Sequence, residues 1–225
     1  MASKSAPFNH TIARLGADFK PTCDPSGGPL AALEPVHIEC YPWYERGERQ
    51  ATAVRTGWTE RAIYLRFECR DRHVCATRTE LNSDVCEDSC VEFFASVPED
   101  PESYFNLEVN CCGTLHLGYG GAEGVRRMVT PAVAALIAIA TSVPGPTKTE
   151  SPGDDGWLVE VALPFEAISC LAGRPVHVEE GTRWRGNFFR CGGATDPQYA
   201  CWAPISAPAP AFHLPEFFGT LTFGA

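Results

Sequence analysis

Positive charge is in short supply. Lys and Arg together number 18 against 28 Asp and Glu, leaving a formal net charge of −10. A phosphate backbone is held by a basic patch, so a nucleic-acid partner is not expected, and an anionic membrane has nothing to attract. Long apolar runs are missing too. The uncharged stretch Pro131 to Pro146 is too short and too interrupted by Pro to span a bilayer. Met1–Pro7 lacks the apolar core of a signal peptide. There is no Cys-x-x-Cys pair, and Cys86 with Cys90 is the only close approach to zinc-ligand spacing. The glycines between Gly118 and Gly124 are followed by no Lys-Ser/Thr and no helix, which removes phosphate-loop chemistry.

Cysteine, by contrast, is abundant. Eleven is an odd number, so the cysteines cannot all pair within one chain. The favoured reading is small buried hydrophobes in a reducing compartment, with a disulfide framework and a metal site behind it. Together with the leaderless N-terminus this favours a cytoplasmic location; a secreted one follows if a leader has been lost. Hydrophobic residues at 44% and charged residues at 20% give an ordinary globular core. The 20 Gly and 19 Pro favour strands and turns over helices. At 225 residues one large β domain is expected. It would be an irregular lead over 1–36, with a loop at Pro25–Pro29, and a single domain over 37–225.

Two stretches organise that domain. In Asp88-Ser-Cys-Val-Glu-Phe-Phe94, Cys90, Glu92 and Phe94 alternate with Val91 and Phe93. In Tyr104-Phe-Asn-Leu-Glu-Val-Asn110, Phe105, Leu107 and Val109 alternate with Asn106, Glu108 and Asn110. A period of two marks half-buried strands. Pro98-Glu-Asp-Pro101 between them predicts a turn and antiparallel neighbours, placing Glu92, Glu108 and Asn110 on one polar sheet face. Further strands are expected at His37–Tyr41, Ala51–Thr56, Ala62–Cys69, Gly113–Tyr119, Ala134–Val143, Trp157–Leu163, Gly181–Arg190 and Leu214–Phe223. Pro164 followed by Phe165, Ile168 and Leu171 predicts one short helix. The polar run Arg70–Glu87 offers oxygens suited to calcium, although it lacks a dedicated calcium-loop spacing.

Read together, five stretches resemble the family 9 carbohydrate-binding modules and the wider DOMON-like sandwiches. They are Asp88–Phe94, Tyr104–Asn110, Trp157–Pro164, Trp184–Arg190 and Phe212–Phe223, within a span of roughly residues 40–223. The resemblance implies an all-β, antiparallel two-sheet β-sandwich of jelly-roll or immunoglobulin-like type, non-catalytic sugar binding, and in some members structural calcium. Its ligand-binding polar positions fall on Glu92, Glu108, Asn110 and Asn187, with Arg190 donating along the rim. It also implies a clamp of two Trp rings. Cys86 stands at the first clamp position and Arg190 near the second, which leaves Trp43, Trp58 or an exposed loop Trp202 as substitutes. His213 is expected to fix a corner by a hydrogen bond.

The expected partner is thus a saccharide, alongside a separately encoded carbohydrate-active enzyme. The alternative is the same fold without sugar binding, serving as an accessory or protein-interaction domain. Enzyme readings are weaker. A glycosidase needs two flanking carboxylates, Glu92 with Glu108 or Glu160. A Cys–His hydrolase needs an activated thiolate that no motif here supplies. Haem ligation, as in cytochrome members of the DOMON-like group, would rest on Met128 alone. A bland reading of the polar face is a structural Glu92–Arg190 ion pair.

Overall fold

Alternating sequence becomes ladder wherever the alternation is strongest. The computed structural model describes residues 8–24, 28–193 and 195–225. Met1–Pro7 and residues 25–27 of the Pro25–Pro29 loop lie outside them. Its strands are β1 (Asn9–Arg14), β2 (Val36–Ile38), β3 (Thr52–Trp58), β4 (Ala62–Arg70), β5 (Cys90–Ser96), β6 (Tyr104–Asn110), β7 (Leu115–Gly120), β8 (Arg127–Met128), β9 (Ala138–Thr141), β10 (Gly156–Pro164), β11 (Arg183–Cys191), β12 (Tyr199–Cys201) and β13 (Gly219–Phe223). Helix α1 covers Pro131–Ala134 and α2 covers Phe165–Ala172. Among the described residues no helix is long and apolar enough to cross a membrane.

The strands form one curled mixed sheet in the order β8-β7-β6-β5-β11-β13-β1-β3-β4-β10-β9, with β12 beside β11 and β2 beside β3. The expected antiparallel hairpins are present: β5 with β6 and β3 with β4. Two expectations are corrected. The N-terminal lead is not irregular, since β1 sits in the middle of the sheet. Asn9–Ile12 pair in parallel with β13, then Ala13–Arg14 pair in parallel with β3. The same strand joins the two halves, so the sheet is continuous and mixed instead of two separate antiparallel sheets. Only Ile12 of β1 is buried, which leaves the sequence with no alternation to show.

The inner faces of the two halves meet in the main core. Phe67 on β4 lies edge-on to Phe188 on β11 at 6.3 Å, Phe188 stacks on Phe93 at 5.1 Å, and Trp58 meets Phe223 at 5.5 Å. Truncating a ring as enclosed as Phe188 costs about 3–5 kcal/mol. Helix α2 forms as expected. Pro164 leads into it, Phe165, Ile168 and Leu171 are buried, and Gly173 ends it in the left-handed region at φ 71°. Of the region read as one strand over 134–143, only Ala138–Thr141 is strand (β9); Ala134 ends α1, and a turn lies between. The overlooked signal is Thr130-Pro131, an N-cap followed by Pro at the first helical position, with Thr130 Oγ1 accepting from Val133 N–H at 3.4 Å.

Candidate functional site

Glu92 and Glu108 are directly opposite each other on β5 and β6. Their alternation from the inward Val91, Phe93 and Leu107 sends both to the outer face of that half of the sheet. An open, half-buried face was expected there, and this is overturned: every residue of β5 and β6 is buried. Two segments cover the outer face. One is the turn Val85–Glu87; the other is the Pro-rich stretch 204–218. In the latter, Ile205, Phe212 and Phe218 pack against Phe94, Tyr104 and Phe189. Proline brings no N–H to satisfy, which suits an extended cover outside the ladder. Phe212 stacks on Phe189 at 4.3 Å, and Trp43 Nε1 donates to Ala207 C=O at 2.8 Å, tying the stretch down.

Beneath this cover is a cavity of about 270 Å3 whose lining includes Cys86, Glu92, Glu108, Tyr199, Phe212 and His213. Its floor is acidic. Glu92 and Glu108 are 2% and 5% exposed, and each has one described hydrogen bond. Cys191 Sγ donates to Glu92 Oε1 at 3.0 Å, and Asn106 Nδ2 donates to Glu108 Oε1 at 2.8 Å. Burial and the facing Glu108 charge push the Glu92 carboxyl well above the usual carboxylate range, with the thiol bond opposing. Burial raises Glu108 too, against the pull of His116, Asn106 and Arg126. Two carboxylates this close do not both ionise readily, so the pair titrates as a unit and holds a proton into higher pH. Tyr199 and Phe212, 6.2 Å apart and near perpendicular, give the cavity an aromatic wall. His213, at the rim, is bonded through Nδ1 to Tyr104 Oη at 2.8 Å, the corner contact expected for it. A larger groove of about 680 Å3 beside Arg14, Asp18 and Glu60 is lined by ion-paired surface groups and backbone.

The other sequence-selected residues do not reach this cavity. Asn110 is fully engaged: Nδ2 donates to Arg78 C=O and Asp88 Oδ2, while Oδ1 accepts from Cys112 and Thr114 N–H. Asn187 Nδ2 donates to Ala203 C=O and its Oδ1 accepts from Phe188 and Ala203 N–H, fixing the chain after β12. Arg190 shares the inward parity of Trp184 and Phe188. It ion-pairs with Asp71 and lies 5.3 Å over the Trp157 ring, so the Glu92–Arg190 pair does not form. Asp71 also accepts from Ser89 Oγ at 2.7 Å and Trp157 Nε1 at 2.9 Å. Burial raises its pKa, but the Arg190 charge and these bonds hold it below the usual range. Trp202 is no exposed platform. It is 6% exposed and packs on Phe8, His10 and Phe188. Trp58 is core, and Trp43 sits behind Phe212.

The residues that sequence reading missed are Tyr199 and Phe212. Neither sits in an alternating run, and only the β11–β12 register, which sets Tyr199 beside Cys191, brings the first to the cavity. Cys86, at the expected clamp position, is exposed at the cavity and carries no ring. In the polar run 70–87, Asp71 is committed to Arg190, and Asp88, which follows it, accepts from Thr77 and Arg78 N–H. Among the described residues no group of three or more His, Cys, Asp or Glu is placed to hold a metal.

The curled, β-rich shell is a fold shared with carbohydrate-binding modules. The chain belongs to carbohydrate-binding family 9, whose model matches residues 30–223. A solved structure of a candidate carbohydrate-binding protein from Bacteroides uniformis is 27% identical, with a TM-score of 0.82 over 97% of this chain and 100% of that one. A family 9 module from Caldicellulosiruptor kristjanssonii, solved with cellotriose, has a TM-score of 0.62 at 13% identity over 96% of this chain and 94% of the other. Solved with glucose, a module from the same organism scores 0.64 at 14% identity over 97% of each chain. A protein from Arthroderma benhamiae described as an extracellular protein is 23% identical over 186 residues, 76% of this chain and 78% of its own.

Proposed function

We propose that this chain binds a saccharide, without catalysis, in the cavity between Glu92, Glu108, Tyr199 and Phe212. The observation that carries the reading is a pair of buried carboxyls, each with an oxygen left over, on the floor of a cavity with an aromatic wall. Sugars offer CH faces and hydroxyl rims. Tyr199 and Phe212 suit the first, and Glu92, Glu108 and the His213 ring suit the second. The cavity lies near the lower end of ligand-site volumes, which fits one terminal ring better than the middle of a long chain. Each hydroxyl exchanges water for a protein acceptor, so single contacts are worth about 0.5–1.5 kcal/mol and binding is modest.

The two halves of the sheet serve as the layers of a DOMON-like jelly-roll sandwich in this reading. The partner beyond the sugar is a separately encoded carbohydrate-active enzyme. One observation favours the accessory-domain alternative: the cavity has Cys86, with no ring, where the resemblance puts a clamp. A glycan array on purified protein, run with calcium and again with a chelator, tests both. Binding to a defined saccharide that Glu108→Ala removes and Tyr199→Ala weakens establishes the site. Signal lost only with the chelator adds calcium to it. A blank array on protein shown by circular dichroism to be folded β turns the reading to the accessory domain.

A further inference from the structure

The charge around the cavity is lopsided. Glu92, Glu108 and Glu87 line it, and no Lys or Arg does. Glu87 is exposed and ion-paired with Arg78. Glu108 has indirect compensation. Arg126 Nε donates to Asn106 Oδ1 at 2.9 Å, and the Asn106 amide passes that polarity on to Glu108; His116 faces Glu108 from β7. Arg126 also donates to the Tyr104, Gly120 and Gly121 carbonyls, and its guanidinium lies 4.3 Å over the Tyr104 ring. Glu92 has no such relay. It is 2% exposed, its described partner is a thiol, and its cross-strand neighbour is another carboxyl. Asp84, Cys86 and Tyr199 add no positive charge from the covering elements, and burial holds the His213 imidazole down to about 4, so it is neutral at pH 7.

We infer that the ligand brings the missing cation: the cavity selects a sugar bearing a primary ammonium group, an amino sugar, and seats that group between Glu92 and Glu108. The inference rests on the reading of this cavity as a saccharide site. A buried carboxylate without a counter-charge is costly, and the empty pair relieves this by keeping a proton. A neutral sugar leaves that proton in place and gains ordinary hydrogen bonds. An ammonium group displaces it to the solvent, and both carboxylates then accept charge-assisted N–H bonds, roughly twice as strong as neutral ones. No bond to carbon is made or broken; the only chemical change is one proton passing from the carboxyl pair to buffer.

The test is isothermal titration of the whole chain with D-glucosamine, D-glucose and N-acetyl-D-glucosamine at pH 7, in two buffers of different ionisation heat. Glucosamine is expected to bind at least about tenfold tighter than glucose, the equivalent of one charge-assisted bond in place of a neutral one. Its heat should differ between the buffers by up to one released proton, while that of glucose should not. In Glu92→Gln the glucosamine-to-glucose affinity ratio falls toward one. Glucose binding as tightly as glucosamine, or glucosamine heats independent of buffer, overturns the amino-sugar inference and leaves the saccharide site standing. No binding of any of the three, with a blank array, removes the saccharide reading and the inference with it. The buffer comparison needs only the unmodified protein, so a misfolded variant does not blunt the test.

Discussion

The outer faces of the two sheet halves carry the same geometry with opposite chemistry. On one, Arg66 of β4 lies directly opposite Glu160 of β10; on the other, Glu92 of β5 lies directly opposite Glu108 of β6. Arg66 and Glu160 are 1% and 2% exposed and joined at 2.6 Å. The surroundings complete the pair: Glu68 accepts from Arg66 Nε at 2.7 Å, Arg66 also donates to Asp24 C=O, and Thr22 N–H donates to Glu160 Oε2. Thr22 and Asp24 of the N-terminal segment thus reach the pair, and each of its two charges has an opposite charge beside it. The Glu92–Glu108 pair sets like against like, keeps its proton to higher pH than a free carboxyl, and opens into a cavity. One buried pair is opposite in charge and closed over; the other is alike in charge and opens into the candidate site. The comparison also separates Glu160 from Glu92, so the glycosidase pairing of those two has no geometric basis.

The sharpest way to break the comparison is to remove one member of each pair. Arg66→Met leaves Glu160 buried without its cation and should cost about 3–5 kcal/mol in urea unfolding. Glu108→Gln relieves repulsion and should cost nothing at pH 7, or gain up to about 1 kcal/mol, while losing saccharide binding. Equal losses in the two variants would erase the distinction. The second effect is on pH dependence, where the two signs differ. Glu92 and Glu108 are raised, so the native state holds extra protons. Their contribution is full below the unfolded carboxylate range and is lost as pH rises through the raised values. Glu92→Gln should therefore flatten the fall in stability that sets in as pH rises above the unfolded carboxylate range.

His10 works the other way. Burial holds its imidazole down to about 4, with Nε2 bonded to Thr56 Oγ1 at 2.6 Å in the seam where β1 joins the halves. Its contribution is present above the ordinary value of 6.5 and lost as pH falls from there toward 4, roughly 2–3 kcal/mol in all. His10→Leu should remove that acid-side slope. A smaller effect is expected at the wall. Tyr199→Ala should weaken saccharide binding by about five- to tenfold, the worth of one aromatic contact, and change stability by less than about 1 kcal/mol. The smallest is metal removal: a chelator should move Tm by less than about 1 °C, because Asp71 and Asp88 are already engaged by protein donors.

Much of this was legible before any coordinates. Alternation located β4, β5, β6 and β10, and the Pro98–Pro101 turn set Glu92 and Glu108 in the same register. The parity of Arg190 is legible too, two residues from Phe188 and therefore inward; what the sequence does not show is Asp71, the distant partner that lets a guanidinium be buried there. What alternation cannot carry is the cover. The 204–218 stretch has prolines in place of periodicity, so nothing in it announces that Phe212 will turn back onto Phe189. Nor does Asn110 or Asn187 reveal in one dimension that its amide is taken up by backbone groups brought from far along the chain.

The measurement that tests the central claim most directly is a crystal structure with the best saccharide from the array. The account predicts density for a terminal ring in the cavity, with hydroxyl or amino groups within hydrogen-bond distance of Glu92 and Glu108 and a ring face against Tyr199 or Phe212. Density on the Arg66–Glu160 face, or anywhere else with the Glu92–Glu108 cavity empty, would contradict it.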